Sequence, residues 1–129
     1  MARVRGRNTR PEMTVRRLVH NLGYRYRLHL ADLPGKPDLV FGRRRKVIFV
    51  HGCFWHQHPG CRRATKPTTN REFWSDKLQR NVDRDAAQLA ALEVQGWQAL
   101  IIWECEIKKR AELAAKICTY LRCDAEASA

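Results

Sequence analysis

Val47-Ile48-Phe49-Val50-His51-Gly52-Cys53-Phe54-Trp55-His56-Gln57-His58 opens as one kind of sequence and closes as another. Its first four residues are apolar and mostly β-branched, the composition of a strand buried on both faces at the centre of a sheet. The rest of the stretch holds three histidines, a cysteine and two adjacent large aromatics, a mixture that core packing rarely wants. A buried strand therefore delivers a chemically loaded loop. Upstream, Gly42 to Lys46 is a basic turn and Leu39-Val40-Phe41 a second apolar run, which predicts a β-hairpin centred on Arg43-Arg44.

Toward the N-terminus, Thr9-Arg10-Pro11-Glu12 has the form of a capping box, and Val15, Leu18, Val19 and Leu22 recur at helical spacing until Gly23. Tyr24 to His29 alternates apolar with basic residues and is expected to be a strand. Leu33-Pro34-Gly35-Lys36-Pro37 then breaks the chain. Beyond the loop, Trp74, Leu78, Val82, Leu89 and Leu92 keep helical period up to Gly96, a natural helix stop. Trp97 to Trp103 reads as another buried strand, and Ile107 to Leu121 as a closing helix. The order αβββαβα predicts an α/β sandwich around a mixed sheet. One domain over residues 1–129 is expected, with 1–8 and 124–129 flexible.

Lys and Arg number 25 against 13 Asp and Glu, a formal charge of +12. Solubility alone does not require so much charge, so a polyanionic partner is implied. Duplex DNA fits, because each cation that neutralises a phosphate releases counterions. No apolar run approaches the ~18 residues of a spanning helix, and no signal-peptide core opens the chain. A soluble intracellular protein without a membrane partner is expected. The five cysteines are an odd count, which argues against a disulfide framework and for metal ligation or inert burial.

Asp38 opens one predicted strand and His51 ends its neighbour, so the hairpin brings both to one sheet edge. Phosphodiester hydrolysis needs a hard cation such as Mg²⁺, which takes oxygen ligands, and Asp38 meets that demand. The plainer reading is that Pro37-Asp38 forms a turn. His51 and His56 are candidates for moving protons near neutral pH. Cys53, His58, Cys61 and the distant Cys105 form a Cys₃His set suited to structural Zn²⁺, with buried thiols as the alternative. Spacing leaves open whether His56 or His58 completes it. Phe54, Trp55 and Trp74 read either as core or as wedges that unstack bases.

The strings Leu33-Pro34-Gly35-Lys36-Pro37-Asp38, Val47 to His56, Glu72-Phe73-Trp74 and Trp103-Glu104-Cys105 together resemble the very short patch repair endonucleases, over nearly the whole chain. The resemblance implies a restriction-endonuclease-like three-layer sandwich with a structural zinc. It also implies a Mg²⁺-dependent enzyme that nicks duplex DNA 5′ of the thymine in T:G mispairs left by 5-methylcytosine deamination.

Carried over by motif, Asp38 and the Val50 carbonyl would hold Mg²⁺, while Glu12 and His51 would reach waters and phosphate. His56 would act as general base, oriented by Asp85. Cys53, His58, Cys61 and Cys105 would bind zinc, and Phe54, Trp55 and Trp74 would insert beside the mismatch. A monomer in the bacterial cytoplasm, associated with the nucleoid and with mismatch-repair proteins as possible partners, is expected. A same-fold nuclease with another target, such as a restriction or defence enzyme, and a non-catalytic zinc module remain the alternatives.

Overall fold

The computed structural model describes residues 10–28 and 32–128, with side chains through Arg122. Helix α1 spans Arg10–Asn21, strand β1 Arg27–Leu28, β2 Leu39–Phe41, β3 Lys46–His51, helix α2 Arg71–Val94, β4 Gln98–Trp103 and α3 Arg110–Ser128. The strands form one mixed sheet in the order β1-β2-β3-β4. β2 pairs antiparallel with β1 and with β3, whereas β3 and β4 run parallel and are joined through α2. The expected element order and mixed α/β class are both present.

Alternation along the strands sorts the side chains into two cores. Leu39, Phe41, Ile48 and Ile102 face α1 and α3, where they meet Val15, Val19, Leu113, Ile117 and Leu121. Val40, Val47 and Phe49 face the other way and pack with Leu92 and Leu89 of α2, Ala99 and Ile101 of β4, and Trp97 beside it. The molecule is thus layered as α1 and α3, sheet, α2. The continuously apolar run of β3 is explained by burial on both faces, and the same parity turns His51 toward the α2 layer.

Several boundaries differ from the sequence expectation. The strand expected over Tyr24 to His29 is only Arg27–Leu28. Its ladder with β2 holds only Arg27 opposite Val40 and Leu28 opposite Leu39, while Tyr24 and Tyr26 pack against the α1/α3 core. His29 to Ala31 lie outside the described residues, as do Thr9 of the capping box and the expected flexible arm 1–8.

Helix α2 starts at Arg71 rather than Trp74, after Asn70 in a left-handed conformation. It ends as expected. Gly96 adopts φ +87°, and its N–H and that of Trp97 bond back to Glu93 and Leu92, closing the helix with a left-handed residue. Helix α3 begins at Arg110 rather than Ile107, because Glu104–Glu106 forms a 3₁₀ turn in which the Glu106 carboxylate accepts the Trp103 N–H at 2.8 Å. It also runs to Ser128, past the expected end at Leu121, since no glycine or proline interrupts the tail.

Ile48 is fully buried in the strand that bridges both neighbours, whereas Val94 is 86% exposed at the end of α2. Ile48→Ala is expected to cost about 2–5 kcal/mol in urea unfolding, against less than about 0.5 kcal/mol for Val94→Ala.

Candidate active site and metal centre

The side chains expected to carry chemistry gather where β3 ends and the loop begins. Gly35, at φ +78°, lets the preceding turn press onto the Phe49 ring, where an added Cβ would come within 3.1 Å. That turn delivers Asp38, whose Oδ2 accepts the backbone N–H of Val50 at 2.7 Å. Burial is the main influence on this carboxyl and pushes its pKa up to about 7. The Val50 N–H opposes the rise and the nearby Glu12 charge adds to it. Glu12 is itself 2% exposed, and Arg16 one helical turn on approaches its Oε2 at 3.7 Å. Two carboxyl groups are therefore packed at one end of the sheet, an arrangement that a hard cation would relieve.

A second group lies on the α2 side. The rings of His51 and His56 stack at 3.7 Å between centroids and 9° between planes. His56 Nδ1 stands 2.6 Å from Asp85 Oδ2 of α2. A Nδ1–H donated to that carboxylate fixes the tautomer and leaves Nε2 with its lone pair, the form a general base requires. Burial, with the neighbouring His56 adding to it, lowers the His51 pKa to about 3, so His51 stays neutral. Its Nδ1 is buried and has no hydrogen-bond partner among the described residues.

The third group is the Cys/His set. One donor atom from each of Cys53, His58, Cys61 and Cys105 lies within 4.8 Å of the others. Tetrahedral zinc with bonds near 2.3 Å to sulfur separates its ligands by about 3.8 Å, so this soft, half-buried set fits such an ion with small adjustment. Here His58 sits among the thiols, its Nδ1 3.5 Å from Cys105 Sγ, while His56 is turned to Asp85. Of the two imidazoles that spacing left open, the fold sets His58 with the thiols and His56 with His51 and Asp85. No disulfide occurs among the described cysteines. Cys53, fully buried, has its thiol pKa pushed up to about 12 chiefly by burial.

Phe54, Trp55 and Trp74 form one aromatic cluster, with centroids 5.0 to 6.0 Å apart. Trp55 is 37% exposed and the adjoining Phe73 57% exposed, so the cluster opens outward rather than filling the core. Asn81 of α2 holds it by donating to the Trp55 carbonyl at 3.1 Å.

Sequence reasoning missed Trp103. Its ring stacks on His58 at 4.1 Å and stands edge-on to His51 at 5.3 Å, so it separates the thiol cluster from the histidine pair. Its place in Trp103-Glu104-Cys105 was the available signal, but a strand-end tryptophan reads as core. Arg16 was also missed, although its i+4 spacing from Glu12 was legible.

The Asp38 shift has a stability consequence. A carboxyl with an ordinary value near 3.8 when unfolded and about 7 when folded binds more protons in the native state between those values. Stability is then lost as pH rises through that window, by at most about 1.4 kcal/mol per pH unit. Without added divalent cation, Asp38→Asn is expected to gain stability over the parent between pH 4 and 7, read by urea unfolding. A constant difference across that range would contradict this.

Residues 1–63 match the family model described as DNA mismatch endonuclease Vsr. The type II nicking enzyme V.XorIIP of Xanthomonas oryzae pv. oryzae is 50% identical over 117 residues, covering 91% of this chain and 85% of that one. The DNA mismatch endonuclease Vsr of Escherichia coli (strain K12) is 40% identical over 119 residues, covering 92% and 76%. The type II nicking enzyme V.NmeAIP of Neisseria meningitidis is 37% identical over 111 residues, covering 86% and 79%. The chain belongs to the Vsr family of DNA endonucleases, hydrolases that cut phosphodiester bonds.

Proposed function

We propose that the chain is a single restriction-endonuclease-like domain that nicks duplex DNA 5′ of the thymine in T:G mispairs produced by 5-methylcytosine deamination. The observation that carries the nuclease part of this reading is the Asp85–His56 hydrogen bond, with His56 stacked on His51, at the end of the strand whose Val50 N–H is bound by the Asp38 carboxyl. A DNA-binding module has no need of an imidazole base oriented by a carboxylate.

Asp38 and the Val50 carbonyl would hold Mg²⁺, with Glu12 and His51 reaching its waters and the phosphate; the ion when bound polarises the phosphate and acidifies water. Asp85 orients His56, and His56 Nε2 takes the proton of the water that attacks phosphorus opposite the departing 3′ oxygen. His51 backs His56 with a neutral ring, so His56 accepts the proton without a second charge stacked against it. Cys53, His58, Cys61 and Cys105 would bind Zn²⁺ and hold the loop that carries His56.

Phe54, Trp55 and Trp74 present a face that can enter the base stack, and a wobble pair is cheaper to unstack than a matched one. A second reading has the same chemistry at another DNA target. It is favoured by the relatives named type II nicking enzymes.

Asp38→Ala is expected to slow nicking of a T:G duplex by about 10³-fold, and His56→Ala by at least ~100-fold, while both still bind the duplex in gel shift. Parental nicking rates in Asp38→Ala would remove the catalytic assignment. Nicking of matched duplex as fast as T:G by the parent would favour the second reading. Cys105→Ser is expected to lose the zinc found by metal analysis of the parent and to melt at lower temperature, and a parent that carries no zinc would refute the Cys₃His assignment.

A further inference from the structure

We propose that a cationic track leading away from Asp38 forms a second contact with the phosphate backbone of duplex DNA, at the hairpin end of the sheet. It rests on the reading of duplex DNA as substrate and says where else that substrate is held. At the far end lies an open groove of about 710 Å³, lined among others by Tyr24, Arg25, Tyr26, Arg27, Arg43 and Arg44. The Arg44 guanidinium lies over the Tyr24 ring, 5.0 Å from its centroid. A smaller hollow of about 300 Å³ adjoins it, where Arg16, Arg17 and His20 of α1 meet Tyr26. Among the described residues, no carboxylate lines either.

Tyr26 joins the two: it lines both, and its hydroxyl donates to the Arg16 carbonyl at 3.3 Å. Arg16 in turn reaches Glu12, the carboxyl whose charge acts on Asp38. The track therefore begins at the candidate cation site and ends at the Gly42–Arg45 turn. Two independent rulers give its length. Glu12 to Asn21 along α1 is about 14 Å at ~1.5 Å per residue, and His51 to Lys46 along β3 is about 16 Å at ~3.3 Å per residue. At ~3.4 Å per base pair along each strand, that spans about four to five base pairs from the scissile phosphate.

The lining favours nucleic acid over protein. The exposed large apolar side chains among the described residues are Trp55, Phe73 and Val94, and none lines the groove. What sets it apart is charge: Arg25, Arg27, Arg43 and Arg44 line it, and no carboxylate among the described residues balances them. Guanidinium groups spread along a trough match evenly spaced phosphates.

The test is the Arg43→Ala/Arg44→Ala double variant, altered only in the exposed turn and checked by circular dichroism and thermal melting. Binding to long T:G and matched duplexes is measured across a salt titration. The slope of log affinity against log salt is expected to be shallower by about 0.9 per arginine, equally for both duplexes. The difference should vanish on duplexes clipped to about three base pairs on one side of the scissile position. Identical slopes for parent and variant on long duplexes, or a difference that survives clipping from either side, would overturn the proposal. Unchanged slopes together with poly-glutamate binding that the variant loses would give the groove to an acidic protein partner instead. T:G preference is recorded in the same parental samples, so its absence would sink the mismatch reading while leaving the slope comparison intact.

Discussion

Parallel pairing of β3 with β4, in the register that sets His51 opposite Trp103, is the constraint on which the rest of the molecule depends. It brings two short strings from distant parts of the chain to one strand end. From there Cys105 meets Cys53, and Trp103 comes between His58 and His51. A one-residue slip would carry every β3 side chain to the opposite face, misfitting both cores and turning His51 away from the α2 side. The two buried layers therefore enforce the alignment of the chemistry.

Through Trp103 the thiol cluster and the histidine pair share one packed wall. Asp85, His56, His51, Trp103 and His58 form a continuous run of hydrogen-bonded, stacked and edge-on contacts. The segment from Gly52 to Ala64 has little regular structure of its own. Its order comes from backbone turns, from Gln57 bonded to the Phe54 and Ala64 carbonyls, and from Asn81 on the Trp55 carbonyl. Such a loop suits a cross-linking ion, which adds binding energy where hydrophobic burial is scarce.

Charge is distributed to the same end. A protein of net charge +12 keeps Glu12 buried and Asp38 half-buried at one sheet edge and spreads arginines along the adjoining surface. Paired buried carboxyl groups resist ionisation without a cation, whereas exposed guanidinium groups remain charged at any working pH. The surface draws in a polyanion, and the buried pair suits a divalent counter-ion.

The sequence by itself determined the element order, the hairpin about Arg43-Arg44, the stop at Gly96 and the grouping of Cys53, Phe54, Trp55, His56 and His58 in one loop. Those features are local: hydrophobic period, turn chemistry and nearest neighbours along the chain dictate them. Tertiary structure alone decided the rest. Whether His56 or His58 joins the thiols depends on where the folded loop sets each ring against Cys105 and Asp85, and Trp103's place between two imidazoles depends on a strand register. The lengths of β1 and α3 likewise followed from what neighbouring strands and Glu106 offered them. Propensity along a chain carries no information about partners far from it in sequence, and these outcomes are all choices among such partners.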